Sequence, residues 1–89
     1  MAYYTYVLYS SNFDKIYIGQ TSDIIKRLPQ HNAGLSKHTK KYRPWEIIHT
    51  EEFSTRSEAM KREKELKSHQ GRNFIRKTLL NGRVRRLPD

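Results

Sequence analysis

Residues 3–10 and 15–19 are runs of aromatic and β-branched side chains, joined by a polar Ser-Ser-Asn-Phe-Asp stretch. A period of two in such residues predicts strands, and the short polar connection predicts a hairpin. Alternation sorts the side chains, with Tyr4, Tyr6 and Leu8 on one face of the first strand and Val7 and Tyr9 on the other. Pairing Leu8 opposite Tyr17 gathers Val7, Tyr9, Ile16 and Ile18 into a core layer. Tyr6, Tyr17 and Gly19 then share the opposite face, with the two tyrosines as diagonal neighbours. A slip of one residue would undo this arrangement.

The period then lengthens. In TSDIIKRLPQHNAG (21–34), Thr21 or Ser22 suits a helix N-cap, Asp23 suits its positive end, and Gly34 suits its stop. Ile24, Ile25 and Leu28 form the expected buried stripe, and Pro29 predicts a bend. Residues 35–45 read as a basic loop ending in Arg43-Pro44-Trp45, and 46–53 as a third strand. Thr55 with Glu58 makes a capping box that opens a helix whose apolar positions are Ala59, Met60 and Leu66. Gly71 is the expected break before a last helix with Phe74, Ile75, Leu79 and Leu80 inside. The order ββαβαα predicts an α+β domain, a small three-stranded, mostly antiparallel sheet flanked by helices. One domain is expected over 1–82, followed by a loose basic tail over 83–89.

Composition narrows the setting. A chain of 89 residues with 35% hydrophobic positions has a thin core, and without cysteine it forms no disulfide or thiolate metal site. Its apolar runs are short for a membrane span and its N-terminus lacks a signal-peptide layout, so a soluble cytoplasmic protein with no membrane partner is expected. Charge changes the picture more. There are 18 Lys and Arg against 9 Asp and Glu, a net charge of +9. From Leu66 to Pro88 no acidic residue occurs, while Lys67, Arg72, Arg76, Lys77, Arg83, Arg85 and Arg86 fall there, and Lys37, Lys40, Lys41 and Arg43 form a second cluster. A polyanion, nucleic acid first, offsets such self-repulsion; a solubilising surface or an anionic membrane surface are the alternatives.

Two charged residues border apolar stripes. Glu63 shares a helix face with Ala59 and Leu66, where an ionised carboxylate needs a partner, a metal or an altered pKa. Pairing with Lys67 at i,i+4 is the plain alternative, and residue position does not choose between them. Arg27 lies three residues after Ile24 and four before His31. It is either a surface cation or a phosphate clamp, for which its donors are suited.

Together these residues resemble the GIY-YIG nucleases. Tyr4-Thr5-Tyr6 stands at the first motif and Tyr17-Ile18-Gly19 is an intact second; Gly19-Gln20-Thr21, Arg27-Leu28 and His31-Asn32 continue the pattern, and SEAMKREKELK (57–67) is similar to the glutamate-bearing helix. The likeness spans about residues 3–80 and is closest to small stand-alone bacterial members, similar to the nuclease domain of the excision-repair endonuclease. It implies a Mg²⁺-dependent endonuclease hydrolysing phosphodiesters, possible substrates being structured or damaged DNA, with Mn²⁺ able to substitute and RNA an open alternative. Glu63 would hold the metal, Arg27 would stabilise phosphate charge, Tyr6 would position or deprotonate the water, and Tyr17 would sit beside it. Gly19 would leave room for backbone to approach substrate.

The first motif lacks its Gly and Ile. The asparagine that larger relatives carry after the glutamate helix has only Asn73 and Asn81 as counterparts, neither at a matching spacing. His31 is either a proton-transfer group or a histidine satisfied at a helix end. Lys37, Lys41 and Arg72 are the candidate DNA contacts, against a plain solvated surface. Trp45 reads as a core or rim aromatic, with base stacking as the alternative, and His38, His49 and His69 show no metal-site arrangement. A nucleic-acid-binding module of the same fold with little or no catalysis is the second reading. Oligomeric state is not encoded in any of these patterns.

Overall fold

Tyr3–Ser10 (β1) and Lys15–Thr21 (β2) form the antiparallel hairpin, and Leu8 pairs with Tyr17 as the alternation requires. Asp14, in the turn, takes a positive φ of 54°. Glu46–Phe53 (β3) pairs antiparallel with the other edge of β1, giving the sheet order β2-β1-β3. Its register shifts between Val7 and Leu8, so that Val7 faces His49 while Leu8 faces Ile47. Ile48 is the extra residue of this bulge; ordinary alternation sends Ile47 to one face of the sheet and Ile48 to the other. The computed structural model describes residues 2–80, so the expected tail over 83–89 and Asn81 lie outside the described residues.

Helices cover both faces. Arg56–Lys67 (α2) and His69–Phe74 (α3), which runs on into a π-helical turn at Ile75–Leu79, bury Leu66, Ile75 and Leu80 against Val7, Tyr9 and Ile18. Thr5 Oγ1 donates to the carbonyl of Ala59 at 2.6 Å, which seats α2 on the sheet. Ile24–Asn32 (α1) covers the other face, where Ile24 and Leu28 pack with Tyr6, Leu8, Tyr17 and Trp45. The face carrying Tyr6 and Tyr17 is therefore a second core layer. Tyr6 is 1% exposed.

The capping box forms as expected, with Thr55 accepting from the amide of Glu58 and Glu58 from that of Thr55. The first helix is capped one or two residues later than expected: Asp23 accepts from the amide of Lys26, and Thr21 Oγ1 accepts from the amide of Asp23. Pro29 does not end α1. A Schellman closure does, with Gly34 (φ 82°) donating to His31 and Leu35 to Gln30. Ile25 is 82% exposed, so only Ile24 and Leu28 make the stripe. Met60 and Phe74 are also exposed, because the inward positions of their helices are taken by Ala59, Leu66 and Ile75. The break after α2 falls at Ser68, which both ends α2 and caps α3 by accepting from Gly71. Gly71 serves packing: a Cβ there would collide with the backbone of Glu65 and Leu66. Among the described residues no helix is long and apolar enough to cross a membrane.

Candidate active site

Register places Tyr6 opposite Gly19, and the Tyr6 and Tyr17 rings lie 6.3 Å apart on the α1 face. A Cβ on Gly19 would stand 2.6 Å from Tyr6 Oη and 3.1 Å from Tyr17 Cε2. The glycine is itself buried. The space above Gly19 is filled by the Tyr6 phenol.

Arg27 and His31, one helical turn apart on α1, both reach the Tyr6 hydroxyl. Arg27 Nε donates to Tyr6 Oη at 3.2 Å and its Nη1 donates to Gln30 Oε1 at 3.0 Å. His31 Nε2 lies 3.0 Å from Tyr6 Oη, and its Nδ1 lies 2.8 Å from Thr39 Oγ1. Thr39 is held in turn, because Trp45 Nε1 donates to its carbonyl at 2.8 Å. Asn32 clips the same tryptophan by accepting from its amide at 2.7 Å and donating to its carbonyl at 3.0 Å. Trp45 is thus a core aromatic, and the basic loop is anchored through it to the back of the site.

The electrostatics follow from burial and from one cation. Burial pushes the Tyr6 phenol up, with smaller upward contributions from Tyr17 and Glu63, against the hydrogen bond and charge of Arg27. The bond to Tyr6 raises Arg27 further, so it stays charged. Burial, then the Arg27 charge, lowers His31 to about 4. At neutral pH His31 is therefore an uncharged imidazole with both nitrogens in hydrogen bonds.

Glu63 comes from the other side of the sheet. Its side chain is 22% exposed and accepts from Lys67 Nζ at 2.7 Å through Oε2. It bonds to none of the tyrosine cluster, although its charge acts on Tyr6. Glu63 lines a hollow of ≈ 270 Å³ with Met60, Lys64 and Lys67. Arg72 is exposed and donates to the carbonyl of Lys67 at 3.1 Å. Lys37 and Lys41 are exposed on the loop, and Asn73 meets His69 away from the tyrosines. So Tyr6, Tyr17, Arg27 and His31 form one cluster, Glu63 stands within electrostatic reach, and the basic candidates lie outside it. Asn32 enters the sequence pattern only through the His31-Asn32 pair, and nothing in the sequence marks Thr39, since a threonine within a run of lysines suggests a solvated loop more readily than a buried hydroxyl.

The GIY-YIG catalytic domain matches residues 2–77. The chain belongs to the GIY-YIG family. It is 44% identical over 72 residues to a UPF0213 protein of Listeria monocytogenes, covering 80% of each chain. A UPF0213 protein of Natronomonas pharaonis is 40% identical over 67 residues, which cover 74% of this chain and 78% of the relative. The solution NMR structure of the UPF0213 protein BH0048 from Bacillus halodurans superposes with a TM-score of 0.52 at 29% identity, covering 86% of this chain and 84% of that one. The GIY-YIG domain carries a nuclease-type fold, here as a small protein with order ββαβαα.

Proposed function

We propose that this GIY-YIG protein is a metal-dependent endonuclease that hydrolyses phosphodiester bonds in DNA. The observation that carries the reading is the convergence of Tyr6, Tyr17, Arg27 and His31 into one bonded cluster, with the Glu63 carboxylate acting on it from α2. Phosphodiester hydrolysis needs a polarised water and compensation for charge at phosphorus. Arg27 supplies a permanent cation at the tyrosine hydroxyls. Tyr17 is half-buried where Tyr6 is fully buried, and Tyr6 holds Arg27 in place by accepting from its Nε.

Glu63 is the residue that would hold Mg²⁺. Among the described residues no three His, Cys, Asp or Glu side chains form a cage. A single carboxylate nevertheless fits an ion that retains most of its waters, and Glu63 Oε1 makes no hydrogen bond among the described residues. When bound, Mg²⁺ would supply a Lewis acid for the phosphate oxygens. Lys37, Lys41 and Arg72 would contact the DNA backbone outside the cluster. Purified protein should nick plasmid or branched DNA with Mg²⁺ or Mn²⁺ and not with EDTA, and Glu63→Ala should abolish nicking while folding normally. Undiminished nicking by that variant would remove the assignment. The Lys67 ion pair on Glu63 favours a second reading, a nucleic-acid-binding module with weak catalysis. Salt-sensitive binding without metal-dependent cleavage on any substrate would select it.

A further inference from the structure

Arg27, Tyr6, His31 and Thr39 form a chain of three hydrogen bonds, at 3.2, 3.0 and 2.8 Å. With the phenol un-ionised and the imidazole uncharged, the chain carries four protons that can enter these bonds: the Arg27 Nε–H, the Tyr6 O–H, one imidazole N–H and the Thr39 O–H. One proton is left over. If His31 is protonated on Nδ1, it donates to Thr39, Tyr6 donates to Nε2, and the surplus proton sits on Thr39 Oγ1. If His31 is protonated on Nε2, Thr39 donates to Nδ1, Tyr6 Oη accepts from both Arg27 and His31, and the surplus proton is on the phenol. Thr39 is fully buried, and its hydroxyl meets no other partner among the described residues. Tyr6 lies under Arg27, which is only half-buried.

We propose that Thr39 is a positioning residue that fixes His31 in the Nε2–H form, so that Tyr6 is the group from which the surplus proton leaves. The phenolate then accepts from two donors and every bond in the chain is satisfied without charging the imidazole. The alternative tautomer locks the phenol proton into Nε2, and ionising Tyr6 would then require an imidazolium that burial and Arg27 oppose. The groups facing the phenol are Arg27 and His31 from α1, Tyr17 from β2, and the charge of Glu63 from α2. Only the first two are donors to its oxygen. Without the Thr39 hydroxyl the Nδ1–H form is favoured, because it leaves one group unpaired, the Nδ1 proton, where the Nε2–H form leaves two, Nδ1 and the phenol proton.

This inference rests on the nuclease reading for its purpose, but its test does not. In wild-type protein labelled with ¹⁵N-histidine at neutral pH, the imidazole nitrogen shifts should show His31 protonated on Nε2. A wild-type His31 protonated on Nδ1 overturns the proposal. Thr39→Val should move the population to Nδ1–H and Thr39→Ser should restore the wild-type form. The Tyr6 ionisation, read at 295 nm against Tyr6→Phe, should rise by roughly one to two pH units in the valine variant, the worth of one hydrogen bond to a charged oxygen. Identical tautomer populations in wild type and a folded Thr39→Val also overturn it. Loss of nicking in every variant, wild type included, would remove the nuclease reading and leave the tautomer result standing.

Discussion

Gly19→Ala opposes two effects of different size. Gly19 does not occupy the left-handed region, so alanine can adopt its backbone. By restricting the unfolded chain, such a replacement would stabilise the protein by about 0.4–1 kcal/mol. Against this, the new methyl would lie 2.6 Å from Tyr6 Oη and 2.8 Å from Cζ. The phenol must give way, and its oxygen holds the bonds to Arg27 at 3.2 Å and His31 at 3.0 Å. Overpacking costs about 1–3 kcal/mol, and stranding a buried polar group costs about 1–3 kcal/mol more. We expect the steric term to win, with a net loss of roughly 2–4 kcal/mol in urea unfolding at pH 7 and a markedly lower Tm. The Tyr6→Phe background sharpens the test, since it removes the nearest atom and both bonds. There the cost of Gly19→Ala should shrink by about 1 kcal/mol or more, a coupling that distant sites do not show. A stable Gly19→Ala protein, or an undiminished cost beside Tyr6→Phe, would refute the packing argument.

Acid should weaken the fold in a window set by His31. Its folded pKa of about 4 lies below the ordinary value, so the unfolded chain takes up the proton first. The stability it contributes is complete above about pH 6.5 and is lost as pH falls toward 4, to a total of roughly 3 kcal/mol. His31→Gln should flatten the urea midpoint across that range. For Glu51, burial acts to raise the pKa, but the bonds from Arg62 and His49 outweigh it and leave the group lowered. Its contribution should disappear below about pH 4.5 and persist in the His31 variant. Lys67→Ala removes the cation 2.7 Å from Glu63; stability should change by less than about 1 kcal/mol while Mn²⁺ affinity, followed by calorimetry, rises. Thr55→Ala breaks the capping box of α2 and should cost about 1 kcal/mol in urea unfolding without moving the site.

Local chemistry made much of this fold legible. The run 46–53 coincides with β3, the Thr55–Glu58 box opens α2, and Leu8 pairs with Tyr17 as alternation requires. These depend on neighbours in sequence or on a period of two. The misplaced residues are those where several neighbours are chemically equivalent. Thr21, Ser22 and Asp23 can each cap a helix, and Ile24 and Ile25 can each face inward, so only packing against the sheet selects Asp23 and Ile24. Strand parity identified the residues that share a face with Tyr6 but not what covers them. The cover is α1 together with Trp45, thirty-nine positions beyond Tyr6, which is held by Asn32 and bonded to the carbonyl of Thr39. That cover makes the face carrying Tyr6 and Tyr17 a second core layer. The resemblance marked Tyr6, Tyr17, Arg27, Glu63 and His31, yet it held nothing about the buried hydroxyl behind His31.

The proposed hydrolysis at this site requires a metal held by Glu63, whose helix packs on the opposite face of the sheet, to serve the tyrosine cluster. Anomalous diffraction from a crystal soaked in Mn²⁺ tests it most directly. A peak is expected at ligand distance from Glu63 Oε1, on the side facing Tyr6 and Tyr17, with its loss in Glu63→Gln. A Glu63 still paired with Lys67 and carrying no peak at saturating Mn²⁺, or a peak that persists in Glu63→Gln, would contradict it.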